Sequence, residues 1–431
     1  VTAPAHPLAP AQLLAHGIGS QHDLPLSPFY AYAGAFAALF VSFLALGLLW
    51  PASRFRGDRA GRPLPAAVQR LADAPATRTA LRLVGAAAAT AVLLHLLLGP
   101  DDPDRNPAPG AVYVLLWVGL VPASLLLGPV WRLLNPLRAL HALLPAPRNP
   151  RPVPAGLGIR PAAAGLLLFA WLELAAPAPA STTTLLVFLA VVTAAGLLGA
   201  ARHGPAWFAH ADPFEVYSAL LARLSPLGRR ADGRLVLRSP FNSLDSTPQT
   251  PGLVATVCVL LGSTAYDGFS DNPRWITTLQ TSPLGPTTTA TLGLLAAVAL
   301  VATLYGLCAG TLRLMSRELT TPLTSFAHSL LPIALGYLVA HYFTLFVTEG
   351  PRTVIMTVGT DNAPAPAPPL TPGALATLQV GAIVTGHVLG VVAAHDRAVR
   401  LFPPAKAVAG QLPLFALMIA YTLGGIGLLI A

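Results

Sequence analysis

Four apolar stretches of this chain each carry a side chain that can bind a metal ion or move a proton. The residues are His95, Glu173, Asp267 and His341. Imidazole and carboxylate together form a donor set that zinc or another divalent transition ion accepts. An ion held in this way lowers the pKa of bound water to near 7 and supplies hydroxide for hydrolysis. Glu173 or Asp267 would then act as ligand or general base, and His95 and His341 as metal ligands. His16, His22 and His387 are further candidate ligands for the same outward-facing cavity. The alternative is that the same groups carry protons or a cation through a transporter. Taken singly, each also reads as a residue that caps a helix or meets water at the membrane edge. Their collection at one depth from four segments is what favours a site.

Some residues do not fit this set. His328 and His341 are thirteen positions apart, about 20 Å along a helix and on different faces, so they cannot share one ion. His395-Asp396-Arg397 reads as an interfacial anchor. Tyr266-Asp267-Gly268-Phe269-Ser270-Asp271 is the densest polar motif on the outer side, and it also reads as a turn with a helix stop. The spacings H-E-x-x-H, H-x-x-E-H and C-x-x-C do not occur, nor does a phosphate-binding loop or a G-x-S-x-G nucleophile elbow. Cys258 and Cys308 lie in apolar runs and read as buried small hydrophobes.

The elements that must position these groups are membrane helices. Of 431 residues, 54% are hydrophobic and only 10% charged, and mean hydropathy is +0.64. An average soluble domain carries about 25% charge, so this chain cannot coat a water-facing surface. Ten apolar segments are legible, near 29–50, 81–98, 111–128, 162–176, 184–201, 252–266, 290–311, 323–347, 373–394 and 412–431. The fourth and sixth are short, and a short span must thin the bilayer or sit shielded by its neighbours. The expected fold is an all-α bundle of about ten spans forming one membrane domain over 28–431, with 1–27 as an outer segment. Within that segment Leu13–Gly17 reads either as the tail of a truncated signal peptide or as sequence behind an alternative start.

Net charge is +9, and 22 of the 26 basic residues fall in alternate loops, from Arg54–Arg78 through to Arg397–Lys406. Such placement argues for membrane topology rather than nucleic acid, and puts both termini outside. Two arginine-side segments, near 130–144 and 212–224, space their apolar residues as amphipathic helices, each entered through Asn135-Pro136 or Asp212-Pro213. They read as helices on the inner face, or as loop helices packed on the bundle. Gly128-Pro129-Val130-Trp131 and Gly204-Pro205-Ala206-Trp207 precede these entries, which suggests a tandem repeat of 111–176 and 184–266. The stretch Asn362–Pro372 is an extended outer loop without chemistry of its own.

Around Ala15-His16-Gly17-Ile18-Gly19 with Asp23-Leu24-Pro25, Ala265-Tyr266-Asp267-Gly268-Phe269, Gly386-His387-Val388 and Ala394-His395-Asp396, the chain resembles a family of bacterial polytopic membrane proteins. Some members of that family carry the label fenitrothion hydrolase. The resemblance implies hydrolysis of a phosphotriester-type bond by a bacterial inner-membrane protein, and carries over no catalytic residue. Three expectations follow. The leading expectation, a metal-assisted hydrolase of organophosphate-type esters, predicts bound metal and ester turnover; of the alternatives, a proton- or ion-coupled transporter predicts flux that depends on Asp267, and a non-catalytic partner of a membrane complex predicts neither.

Overall fold

The computed structural model describes residues 28–145, 149–315, 321–359 and 364–430, so His16, His22, Arg148 and Arg317 lie outside the described residues. In chain order the principal helices are α1 (Pro28–Leu49), α2 (Pro75–Leu98), α3 (Ala108–Leu127), α4 (Pro136–Leu143), α5 (Arg160–Leu174), α6 (Thr182–His203) and α7 (Pro213–Leu221). There follow α8 (Leu253–Ser270), α9 (Pro273–Thr281), α10 (Pro286–Met315), α11 (Leu331–Thr357), α12 (Pro372–Leu401) and α13 (Leu412–Ile430). Nine of the described helical stretches are long and apolar enough to cross a bilayer; one of them is α11 together with the turns from Pro322. The protein is an all-α, multi-pass membrane protein.

The expected span left out of these nine is the fourth, α5, and it fails the length test. Its 15 residues rise about 22 Å, against a hydrocarbon core of about 30 Å. The chain nevertheless passes from one end of the bundle to the other through it. Before α5, the Ile159 N–H donates to Pro251 O at 2.8 Å, among the arginine-rich loops. After it, Pro179 O accepts from the Tyr113 hydroxyl and the Thr182 N–H donates to Asp101, both at the opposite end. Ala162, Leu166, Phe169, Leu172 and Glu173 are buried, so α5 is a short crossing shielded by protein rather than a lipid-facing span.

The arginine-bearing loops meet at one end, as the alternation of charge requires. Three short strands there, β1 (Arg62–Pro63), β2 (Leu227–Arg229) and β3 (Leu235–Leu237), pair antiparallel in the order β1-β3-β2, joining the loops after α1 and α7. Two-residue and three-residue strands leave no readable alternation in sequence. His395-Asp396-Arg397 is not an anchor at the interface but a buried clasp. Asp396, fully buried, accepts from Trp50 Nε1 (3.1 Å), Ser53 Oγ (2.7 Å), the Arg54 N–H (2.6 Å) and Arg400 (3.1 Å). Arg397 and Arg400 both reach Asp245. The clasp ties the end of α1 to α12. Arg352 pairs with Asp104 at the far end, where α11 begins its last two turns.

Helices α11 and α12 form the tightest pair. A Cβ on Gly386 would stand 2.5 Å from Pro332 O, and one on Gly336 2.6 Å from Ala382 O. Gly386→Ala is therefore expected to lower thermal stability by about 1–3 kcal/mol through overpacking. Gly381→Ala on the same helix, with nothing within 4 Å of the added carbon, is the matched control in the same melting experiment. Equal melting of the two variants would refute the close packing.

The two Asx-Pro entries differ in placement. Gly128 (φ 81, ψ −155) and Gly204 (φ 73, ψ −172) share one left-handed conformation, and Asn135 and Asp212 cap α4 and α7 alike. α4 has no buried residue, in keeping with a surface helix. The segment 212–224 departs from the inner-face expectation. Eight of the nine α7 residues are buried, wedged against Trp117 and Ser124 of α3 and Gly165 and Phe169 of α5. A helix that is apolar nearly all round belongs inside a bundle.

Candidate functional site

Two neighbouring residues of α11 converge on one oxygen of α8. His341 Nε2 lies 2.8 Å from Asp267 Oδ2, and the Tyr342 hydroxyl donates to the same oxygen at 2.6 Å. Asp267 is 0% exposed. A carboxylate so placed needs charge-matched or hydrogen-bonding partners to remain tolerable in low dielectric. Imidazole and phenol supply them. The site lies toward the end of the bundle opposite the arginine-rich loops: Asp267 is three residues from the end of α8, and Tyr342 ten residues, about 15 Å, from Arg352 on the longer α11.

An aromatic wall surrounds the pair. Over Ala111–Val118 the α3 backbone widens to i→i+5 hydrogen bonding, closed by the Gly119 N–H to Val114 O at 2.9 Å. Such widened turns occur mostly as single insertions near functional sites. Here the wide turn directs Tyr113 and Trp117 to one side, and both rings meet Phe169 of α5. Trp117 also stacks on Tyr217 of α7 (4.6 Å between centroids) and meets Tyr342 edge-on. Glu173, buried near the end of α5, lies within electrostatic range of the hydroxyls of Tyr113, Tyr217 and Tyr342. Ring contacts thus connect Tyr113, Tyr217 and Tyr342 around Trp117 and Phe169, with Asp267 and His341 bound at Tyr342.

Of the residues expected from sequence, Asp267 and His341 are joined directly, and Glu173 stands near them through Tyr342. His95 is not brought in. It sits half-buried on α2, which packs on α3, α4 and α6, and its backbone carbonyl accepts from Asn106 and Gly99. His387 occupies a separate niche on α12. Its Nδ1 pairs with Ile383 O (2.9 Å), its ring meets Tyr337 and Tyr421, and its buried Nε2 has no hydrogen-bond partner. Among the described residues no three His, Cys, Asp or Glu side chains converge as a metal site. The donor set proposed from sequence is therefore not assembled by the residues whose positions are described. Cys258 and Cys308 are free thiols.

Sequence reasoning missed the tyrosines and the network at the arginine-rich end. Tyr342 directly follows His341, but a phenol beside a histidine in an apolar run carries no period that marks it. The two helix entries also prove to be partners. Asn135 Nδ2 donates to Asp212 Oδ2 at 2.9 Å, while Arg138 grips Glu215 with two 2.7 Å bonds. Ser124 and Ser218 join their hydroxyls at 2.8 Å deeper in the bundle, one residue along α7 from Tyr217. Hydrogen bonds thus join Arg138 to Glu215, Asn135 to Asp212 and Ser124 to Ser218, while the buried Tyr217 hydroxyl has no hydrogen-bond partner.

Burial pushes the Asp212 carboxyl up to about 6, with the Glu215 charge adding to the rise and the Glu215 N–H and Asn135 amide opposing it. Its folded value lies above its unfolded value of 3.8, so its contribution to stability is full below 3.8 and lost as pH rises through 6. Asp212→Asn removes this titration and keeps a capping side chain. The stability of Asp212→Asn relative to wild type is expected to rise between pH 4 and pH 7, by up to ~3 kcal/mol at 1.36 kcal/mol per pKa unit. A difference that stays flat across that range in melting curves would contradict the assignment.

Comparison with known proteins yields no protein-family model, no curated protein and no solved structure that matches the chain.

Proposed function

We propose that this membrane protein is a proton-coupled transporter in which Asp267, held by His341 and Tyr342, takes up and releases the coupling proton. The observation that carries the reading is the 2.8 Å Asp267–His341 contact, buried between two membrane-span helices. Ionisable groups in such places are costly and mark ion or proton pathways. An Asp–His pair exchanges a proton between two groups of different intrinsic affinity at little cost in position. Glu173, buried near Tyr342, provides a second carboxylate for the same proton. By the distribution of arginine the arginine-rich end faces the cytoplasm, in a bacterial inner membrane, and the pair lies in the outer half.

A second reading draws on one further observation: His341 lines a cavity of about 330 Å³. An Asp-oriented imidazole beside a cavity is also the arrangement of a general base, so hydrolysis of an organophosphate-type ester is the alternative. One preparation separates the two. The purified protein is placed in liposomes with a trapped pH-sensitive dye, and an inward proton-motive force is imposed with potassium and valinomycin. Proton entry faster than in empty liposomes is expected. Entry at the rate of empty liposomes, with turnover of a p-nitrophenyl phosphotriester by the same sample, would replace transport with hydrolysis.

A further inference from the structure

Three charged groups meet where α4 packs beside α7, and their charges do not sum to zero. Asp212 and Glu215 are buried, 7% and 3% exposed. Arg138 is the cation beside them, and both of its hydrogen bonds go to Glu215. Among the described residues Asp212 is held by neutral donors alone. The Asn135 amide lies on its Oδ2 (2.9 Å) and the Glu215 N–H on its Oδ1 (2.8 Å). The same Asn135 amide nitrogen stands 3.4 Å from Glu215 Oε2, so the two carboxylates flank one side chain. A buried carboxylate without a counter-ion is costly, and the cost is relieved by taking up a proton or by admitting water.

No neighbouring element makes up the deficit. His210, on the short helix Phe208–Ala211, is turned through Nδ1 to Gly158 O. His141 of α4 lies edge-on to the Phe208 ring. Arg132 and Arg160 are exposed at the surface, and Glu173 stands at the far end of α5. α3 meets α7 here through Ser124 and Ser218. Trp131 stands beside Asp212 and favours its charged form, as do the Glu215 N–H and the Asn135 amide. Burial, aided by the Glu215 charge, outweighs them.

The two helices that share this cluster are held unequally. α7 is buried along eight of its nine residues, whereas α4 has no buried residue and Leu143 on it is 83% exposed. α4 covers Phe208, whose fully buried ring lies beneath Arg138 (5.2 Å) and His141 (5.8 Å). Water therefore reaches Asp212 at least cost when α4 moves and α7 stays, since local opening follows the segment with the fewest buried contacts.

We propose that Asp212 is a proton-operated latch: protonated, it lets α4 lie closed over Phe208, and ionised, it draws water into the cluster and lifts α4 away from α7. Arg138 and Glu215 carry opposite charges in both states, so Asp212 alone changes the balance. Its carboxyl titrates at about 6 in the closed arrangement and at 3.8 in water. The closed state is therefore favoured most below 3.8 and weakens as pH rises through 6, by about a hundredfold in the open–closed ratio at one pKa unit per tenfold. The latch stands independently of any proton carried by Asp267.

The test exposes the full chain in lipid nanodiscs to a brief pulse of hydroxyl radicals at pH 5 and at pH 8. Oxidation of Phe208 is read by mass spectrometry against a free phenylalanine dosimeter. It is expected to rise about tenfold from the lower pH to the higher, the part of the full change that falls in this window for values of 3.8 and about 6. Phe169, equally buried but set against Tyr113, Trp117 and Phe214, should stay unoxidised at both. Asp212→Asn cannot ionise, so its Phe208 oxidation should be the same at both pH values, whatever its level. His141→Gln and His210→Gln should keep the rise. Wild-type oxidation that does not change with pH, an equal rise in Asp212→Asn, or loss of the rise in either histidine variant would overturn the latch.

Discussion

Asp267→Asn should abolish proton entry into liposomes, lowering the rate at least about a hundredfold, the lower range for loss of a positioned proton-transfer group. The change is nearly isosteric. The amide oxygen can take the place of Oδ2, where Tyr342 lies at 2.6 Å and His341 at 2.8 Å, with the amide nitrogen in the place of Oδ1. What disappears is the ability to exist with and without a proton. Because the buried pair no longer has to accommodate a charge, folding should be unharmed, and the melting profile serves as the control. His341→Gln tests the partner: it preserves hydrogen bonding but removes the imidazole, and should slow flux while leaving Asp267 able to load. Proton entry at the wild-type rate in Asp267→Asn would eliminate this residue as the carrier.

The second large effect is on stability, at the opposite end of the molecule. Arg138 and Glu215 form a two-bond pair with side chains only 11% and 4% exposed. Removing one member of a buried pair strands the other charge in low dielectric, at a cost of about 3–5 kcal/mol. Arg138→Leu should therefore be severely destabilising. The double variant Arg138→Leu/Glu215→Leu should regain most of that loss, because two apolar side chains of similar size often replace a buried pair without penalty. Thermal melting of the wild type, both single variants and the double variant closes the cycle. If the double variant melts no higher than Arg138→Leu, the penalty comes from lost packing. Arg138 also covers the Phe208 ring at 5.2 Å, so part of the loss is expected to persist.

Parts of the site were legible in the chain because membrane burial makes ionisable residues rare. Asp267 and His341 stand out in apolar runs for that reason alone. Joining them was not legible, since it requires the relative rotation of α8 and α11, and that depends on contacts such as Gly336 against Ala382. His95 and His387 stood out equally and went elsewhere. α2 packs against α3, α4 and α6, away from Asp267, while α12 turns His387 toward Tyr337 and Tyr421. The length of α5 was visible as a weakness in its apolar run. That it crosses under cover of α7 and α8 was not.

By itself the sequence determined that the chain is an all-helical, multi-pass membrane protein with its basic loops gathered at one end. Those properties follow from quantities that add along the chain: apolar length per helix and the side on which arginine accumulates. Tertiary structure alone decided that α7 is wedged inward rather than laid on a surface, that Asn135 meets Asp212, and that Asp267 shares one oxygen between His341 and Tyr342. These depend on which faces of distant helices meet. In lipid that choice is made by close packing of small residues and by pairing of buried polar groups, neither of which leaves a period in the sequence.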